Sequence, residues 1–299
     1  QRDLPREPFG YALDNHCECA GLGGRAGIFQ DLLAFLATAP LGLESAVGHH
    51  RLRPEADMAH DGNAPLRQEF NCRRDHLADG ALGAGEGQHA AQLGTFLLRE
   101  RLAAGGLALG FGVSTYRSPG IGMVAKATGY DWLFIDMEHN SMSVDTAAQI
   151  CQAALAVGIT PMIRVPAHEA FHSTRLLDTG AQGIVIPHVS TVEQARAVVD
   201  FCRFTPLGHR SIPGSLPQTR FMPLPVTETV SLINAETLVV AMIETLEGRD
   251  NVDAIAAVPG IDVLLVGCTD MAAELGVPGQ LGHASLKDTL DTVFAACER

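Results

Sequence analysis

The chain has 299 residues, of which 46% are hydrophobic and 18% are charged, and it carries a formal net charge of −13. This composition is typical of a globular protein with a large core, and the negative charge argues against nucleic acid or an anionic membrane as a partner. No apolar run approaches the ~20 residues of a membrane span and no signal peptide is visible, so we expect a cytoplasmic protein. Seven cysteines, an odd number, fit reduced thiols better than a disulfide framework.

Residues 1–94 lack the regular alternation of the rest of the chain. We predict one helix over residues 27–38 and expect the segment as a whole to be an irregular or disordered extension, with Gly/Ala-rich residues 80–94 as a linker. Its histidines and cysteines invite a zinc interpretation, but their spacing fits no zinc-binding pattern. The segment therefore contributes no candidate site.

From residue 95 onwards, predicted strands and helices alternate along the chain. The strands are short apolar runs over residues 107–113, 132–136, 161–165, 183–189, 238–244 and 261–266. The helices cover residues 96–104, 120–128, 144–157, 168–178, 191–201, 252–257, 271–275 and 284–297. Thr191 and Gln194 have the spacing of a capping box, and residues 205–234 are predicted to be a long connection.

This alternation predicts a parallel α/β sheet, and right-handed crossovers make a sequential series of strands a barrel candidate. A doubly wound open sheet is the alternative, although no GxGxxG follows any predicted strand. A (β/α)8 barrel typically takes about 250 residues and eight strands, whereas only six strands are predicted here. We therefore expect residues 95–299 to form a TIM-type barrel domain that is incomplete at its C-terminus.

Ionisable residues follow several predicted strands, and the carboxyl ends of parallel strands meet at one edge of a sheet. Glu244 and Asp270 follow neighbouring strands, and two such carboxylates can share one Mg²⁺ or Mn²⁺ ion. Arg164 can bind a substrate carboxylate or an enolate oxygen, or it can form an ion pair with a strand-end acid. The two lysines, Lys126 and Lys287, lie away from the strand ends, which argues against Schiff-base chemistry.

The loop after the second predicted strand carries Asp136, Glu138 and His139. A carboxylate three residues before an imidazole can orient the ring and raise its basicity, which is the arrangement of a general base. A surface histidine is the alternative interpretation. Near the last predicted strand, Gly267 and the amides after it can hold a carboxylate at the turn into a helix.

Six segments between about residue 96 and residue 299 resemble the HpcH/HpaI family of metal-dependent aldolases, which cleave and form 4-hydroxy-2-oxo acids. They are DWLFIDMEH, PMIRVP, GAQGIVIPHVSTVEQA, PLGHRS, MIET and VGCTDMAAELG. The resemblance implies a (β/α)8 barrel, homo-oligomers, and a divalent metal cofactor such as Mg²⁺, Mn²⁺ or Co²⁺. Residues 1–94 do not share it, and the family's seventh and eighth strands have no counterpart before Arg299. Met242 stands where many members have glutamine.

The resemblance also implies roles for particular residues. His139 corresponds to the catalytic base, with Asp136 as its partner. Arg164 corresponds to the arginine that binds the substrate and the enolate. Glu244 and Asp270 correspond to the metal-binding acids.

The implied reaction yields pyruvate or a related 2-oxo acid and an aldehyde, so the expected partners are small molecules. The backbone around Gly267, Thr269 and Asp270 would hold the carboxylate of pyruvate. Two alternatives stay open: an acyl-CoA lyase of the citrate-lyase β type, for which no basic cluster is visible, and an inactive truncated barrel that serves as an interaction module.

Overall fold

The structure is a computed structural model that describes residues 97–104 and 106–299. Residues 1–94, with the helix predicted over residues 27–38, lie outside the described residues. The strands are β1 (Gly110–Val113), β2 (Trp132–Asp136), β3 (Thr160–Arg164), β4 (Gly183–Ile186), β5 (Leu238–Ile243) and β6 (Val263–Val266). They form one sheet in sequential order, and every neighbouring pair is parallel.

Helices connect these strands. They are α1 (Leu97–Ala103), α2 (Ile121–Ala127), α3 (Val144–Ala156), α4 (Ala170–Asp178), α5 (Val192–Cys202), α6 (Val226–Glu236), α7 (Leu246–Asp250), α8 (Val252–Ala256), α9 (Cys268–Glu274) and α10 (Ala284–Glu298). None of the helices in the described part of the chain is long and apolar enough to cross a bilayer.

The central strands are buried along their whole length, from β2 to β5. Strands that are covered on both faces read as continuous apolar runs, which is why the sequence locates them. The predicted fold class is confirmed, since the six parallel strands form an open, incomplete TIM-type barrel, with β1 and β6 at its edges. The carboxyl ends of all six strands therefore lie along the same rim.

The prediction that residues 205–234 form one long connection is wrong, because helix α6 begins at Val226 within this range. The helix is rich in Thr and Val, which are weak helix formers, and it fully buries only Leu232 and Ile233. These two side chains pack with Phe204 and Leu216 in a small second core. Tertiary packing rather than sequence periodicity therefore defines this helix.

Two local signals set the elements that flank the candidate site. The predicted capping box is confirmed, because Thr191 Oγ1 accepts from the Gln194 N–H and Gln194 Oε1 accepts from the Thr191 N–H. Strand β4, however, ends at Ile186 and not at residue 189 as predicted. Pro187 lacks an N–H, so it cannot continue the ladder, and the next residue, His188, has a left-handed φ of 51°.

The amino ends of β5 and β6 are joined by a buried guanidinium. Arg203 NH1 donates to Thr237 O at 2.8 Å, and NH2 donates to Gly260 O at 3.1 Å and forms an ion pair with Asp262. The same carboxylate accepts the Val239 N–H at 2.8 Å. This network ties together the loops that lead into the two strands, at the end of the sheet opposite to the candidate site.

Candidate active site

The first pair of charged side chains at the carboxyl rim is Asp136 and Arg164. The register of β2 and β3 places these two residues side by side. The Arg164 Nε donates to Asp136 Oδ1 at 3.0 Å, and NH2 donates to Oδ2 at 2.9 Å. Both residues are buried, so this two-point ion pair is a rigid part of the rim. This is the ion pair with a strand-end acid that was one of the two sequence-based interpretations of Arg164.

Asp136 also organises the loop that follows β2. Its Oδ1 accepts the backbone N–H of Glu138 at 3.0 Å and that of His139 at 3.4 Å. The Asn140 side chain donates back to the Asp136 carbonyl oxygen. The carboxylate therefore fixes the loop backbone and the guanidinium, and it does not face the His139 imidazole as the sequence-based interpretation expected.

Glu138 is the carboxylate that lies near the His139 ring. The imidazole, whose side chain is 58% exposed, has its Nε2 3.7 Å from Glu138 Oε2. Glu138 is itself nearly buried and lies 3.2 Å from Arg164 NH1. Its other oxygen, Oε1, lies 3.8 Å from Nε2 of His188. Glu138 thus lies between the loops that follow β2 and β4. Its neighbours in the sequence do not predict this position.

Glu244 and Asp270 meet at the rim, as the sequence-based interpretation expected. Glu244 directly follows β5 and is buried, while Asp270 lies in the first turn of α9, after β6, and is exposed. A carboxylate oxygen of Glu244, a carboxylate oxygen of Asp270 and a ring nitrogen of His188 all lie within 4.8 Å of one another. Two carboxylates and an imidazole at this spacing are a donor set that suits a divalent cation.

The buried Glu244 carboxylate is held by its neighbours. The His188 N–H donates to its Oε2 at 3.1 Å. On the other side, Gly267 leaves the space that the carboxylate occupies, because a Cβ at this position would lie 2.5 Å from Glu244 Cγ. Burial raises the pKa of Glu244 to about 7, with the charges of Glu138 and Asp270 acting in the same direction and His188 opposing them. The ionised form of the Glu244 carboxylate is therefore unfavourable in this site, and a bound cation would stabilise it.

His188 was not among the residues that the sequence singled out. The predicted strand over residues 183–189 hid it, because a strand interior offers no reason to expect a rim residue. Pro187 is the feature of the sequence that could have identified His188, because a proline ends the strand before it and so places the next residue at the rim. Thr269, predicted to contribute backbone to a carboxylate site, is exposed in the first turn of α9 beside Asp270.

Comparison with known proteins identifies relatives of this chain. The family model described as HpcH/HpaI aldolase/citrate lyase matches residues 117–299. A 4-hydroxy-4-methyl-2-oxoglutarate aldolase of Chaetomium globosum is 40% identical over 199 residues, which are 66% of this chain and 74% of that protein. A 4-hydroxy-2-oxovalerate aldolase of Novosphingobium aromaticivorans is 37% identical over 179 residues, 60% of this chain and 67% of that one. The crystal structure of an HpcH/HpaI aldolase from Desulfitobacterium hafniense has a TM-score of 0.65 and 31% identity, covering 68% of this chain and 78% of its own.

Proposed function

Because the chain belongs to the HpcH/HpaI aldolase/citrate lyase family, we propose that it is a divalent-metal-dependent carbon–carbon lyase that cleaves a 4-hydroxy-2-oxo acid into pyruvate, or a related 2-oxo acid, and an aldehyde. The observation that carries this proposal is the meeting of Glu244 and Asp270 on the rim that also holds Arg164 and His139. The names of the relatives support the substrate class, since two of them are aldolases of 4-hydroxy-2-oxo acids.

Glu244 and Asp270 are the proposed metal-binding residues, with Mg²⁺, Mn²⁺ or Co²⁺ as the ion. Their fit rests on the convergence of the two carboxylates and on the space that Gly267 leaves for Glu244. A bound divalent cation would supply Lewis-acid polarisation of the 2-oxo group. The turn from Gly267 to Thr269 and Asp270 is the proposed site for the carboxylate of the 2-oxo acid.

His139 is the proposed general base. Its imidazole is open to solvent and therefore to a substrate, and its backbone N–H is held by Asp136. In cleavage, the ring accepts the proton of the 4-hydroxyl group, the C3–C4 bond breaks, and the bonding electrons pass into the 2-oxo group as an enolate. A proton then adds to C3 to give the 2-oxo acid.

Arg164 is the proposed stabiliser of the enolate oxygen. A guanidinium has five N–H donors. Two of them, on Nε and NH2, donate to Asp136, and NH1 lies 3.2 Å from Glu138 Oε2. Donors therefore remain for a substrate oxygen, while the ion pair keeps the group in place before the substrate arrives. Assembly into homo-oligomers remains a prediction from the resemblance.

The test is release of pyruvate by the full chain with Mn²⁺ from two compounds: 4-hydroxy-2-oxovalerate, which also yields an aldehyde, and 4-hydroxy-4-methyl-2-oxoglutarate, which yields a second 2-oxo acid in place of the aldehyde. We expect release with at least one substrate and its loss when EDTA is added. The His139→Asn variant should lose about 10²–10⁴-fold in kcat and keep its Mn²⁺ affinity. The matched control is His209→Asn, since His209 is highly exposed and pairs with Asp200.

Two results would overturn this function. One is a folded protein that releases no pyruvate from either compound. The other is cleavage that continues unchanged in EDTA. If citryl-CoA were cleaved instead, the acyl-CoA lyase alternative would replace the aldolase.

A further inference from the structure

His188 lies at the centre of the rim but has no part in the function proposed above. Its Nδ1 is 3.0 Å from Glu244 Oε2, and one of its ring nitrogens belongs to the cluster of ligand atoms that includes Asp270. The side chain is 51% exposed, so the ring lies at the opening of the site and not in the core. An imidazole at this spacing from two carboxylates is placed as a ligand would be.

The backbone holds this ring in place at an energetic cost. A φ of 51° is a left-handed conformation that non-glycine residues rarely adopt, and such residues cluster at functional sites. The conformation is fixed from both sides: the His188 N–H donates to Glu244, and the Val189 N–H donates to Met242 O at 3.0 Å. His168 Nε2 lies 2.5 Å from the Pro187 carbonyl oxygen and holds the preceding peptide.

We propose that His188 is a third protein ligand of the divalent cation, binding through Nδ1 beside Glu244 and Asp270. This inference rests on the metal site of the proposed function. The other ring nitrogen, Nε2, lies 3.8 Å from Glu138 Oε1. Histidines that bind metals almost always direct the second ring nitrogen to a carboxylate, a carbonyl or water, which sets the tautomer and the ring orientation. Glu138 is in the position of that carboxylate.

A nitrogen ligand changes which cations the site prefers. Two carboxylates alone suit hard ions such as Mg²⁺, whereas imidazole favours later transition metals. With His188 as a ligand, the site discriminates in favour of Co²⁺ over Mg²⁺, whereas Mn²⁺ gains less from the nitrogen. This preference is a property of the loop after β4, not of the acid pair.

The test measures binding of Mn²⁺, Co²⁺ and Mg²⁺ without substrate by titration calorimetry, and nitrogen coupling to bound Mn²⁺ by electron spin-echo spectroscopy. The variant is His188→Asn, because asparagine tolerates a left-handed φ and removes the imidazole. His209→Asn is the matched control, at an exposed histidine paired with Asp200. Thermal unfolding of both variants checks that the fold is kept, and His188→Gly serves if the asparagine variant fails to fold.

We expect nitrogen coupling in the wild type and in the control, and its absence in His188→Asn. The variant should lose about 10–100-fold in Co²⁺ affinity and much less in Mg²⁺ affinity. Mn²⁺ that binds to the wild type without nitrogen coupling, while pyruvate release depends on Mn²⁺, would overturn the ligand role of His188 and leave the aldolase function intact. A wild type that binds none of the three ions would overturn the metal site of the proposed function and, with it, this inference.

Discussion

The two ends of the sheet both bury charged side chains, but only one end balances them. At the amino end, the cluster around Arg203 holds two guanidinium groups and two carboxylates: Arg99, Arg203, Glu236 and Asp262. At the carboxyl end, the cluster around Arg164 holds one guanidinium group, the largely buried carboxylates of Asp136, Glu138 and Glu244, and the exposed carboxylate of Asp270. Within these two clusters, the formal charges sum to zero around Arg203 and to −3 around Arg164, with the imidazoles neutral.

This difference separates stability from function. A buried ion pair with its hydrogen bonds made is costly to break, whereas an excess of buried carboxylate is a cost that a bound cation removes. The amino end therefore stabilises the fold, and the carboxyl end carries an unbalanced negative charge that the proposed cation would neutralise. Substitutions at the two ends should have opposite effects on the free energy of unfolding.

The largest loss of stability is expected at the balanced end. Arg203→Met removes the guanidinium that joins the loops before β5 and β6 and leaves Asp262 with less compensation. We expect a loss of about 3–5 kcal/mol in the free energy of unfolding, measured by urea denaturation. The control is Arg299→Met, which breaks an exposed pair with Asp253 and should cost less than about 1 kcal/mol. Equal losses in the two variants would contradict the contrast between the ends.

At the unbalanced end, Glu244→Gln should stabilise the metal-free protein and abolish Mn²⁺ binding. The amide removes a buried negative charge and keeps the shape of the side chain. At pH 8 with EDTA, we expect the variant to gain at most about 3 kcal/mol in the free energy of unfolding. Wild-type Mn²⁺ affinity in the variant, measured by calorimetry, would show that Glu244 is not a metal ligand.

The pH dependence of stability should follow the same carboxyl group. Burial raises the pKa of Glu244 to about 7, above its ordinary value of 4.5, so the folded state binds more protons than the unfolded state between these values. The contribution of this group is therefore fully present below pH about 4.5 and is lost as the pH rises through about 7. In EDTA, the stability difference between Glu244→Gln and the wild type should grow from pH 5 to pH 8. A difference that is the same at both pH values would exclude this titration.

A smaller effect is expected from the glycine that makes room for the carboxylate. The Cβ of Gly267→Ala would press on Glu244 and displace it, so we expect about a tenfold loss of Mn²⁺ affinity, equal to about 1.4 kcal/mol. Gly214→Ala is the matched control, because a Cβ there meets nothing within 4 Å. If both alanine variants bound Mn²⁺ like the wild type, Gly267 would have no role in positioning Glu244.

The sequence predicted the strands and the acid pair because both leave local patterns. Buried parallel strands are apolar runs, and an acid directly after such a run, such as Glu244, points to the rim. Contacts between loops leave no such pattern. Asp136 and His139 are three residues apart, yet the carboxylate turns to Arg164 on the neighbouring strand, and Glu138 faces the ring instead.

Helix α6 and His188 are two further features that depend on tertiary contacts and therefore could not be predicted from the sequence. The helix has weak helix formers and only two fully buried apolar residues, so tertiary packing decides its conformation. His188 reaches Glu244 through a left-handed turn, and a residue's φ cannot be read from an apolar run that contains it.

Diffraction data collected at the Mn²⁺ absorption edge from crystals of the full chain grown with Mn²⁺ test most directly whether the unbalanced end binds a cation. We expect one anomalous peak within bonding distance of a carboxylate oxygen of both Glu244 and Asp270. A protein that shows no peak there, or an ion bound elsewhere with these two carboxylates apart, would contradict the metal site and the function built on it.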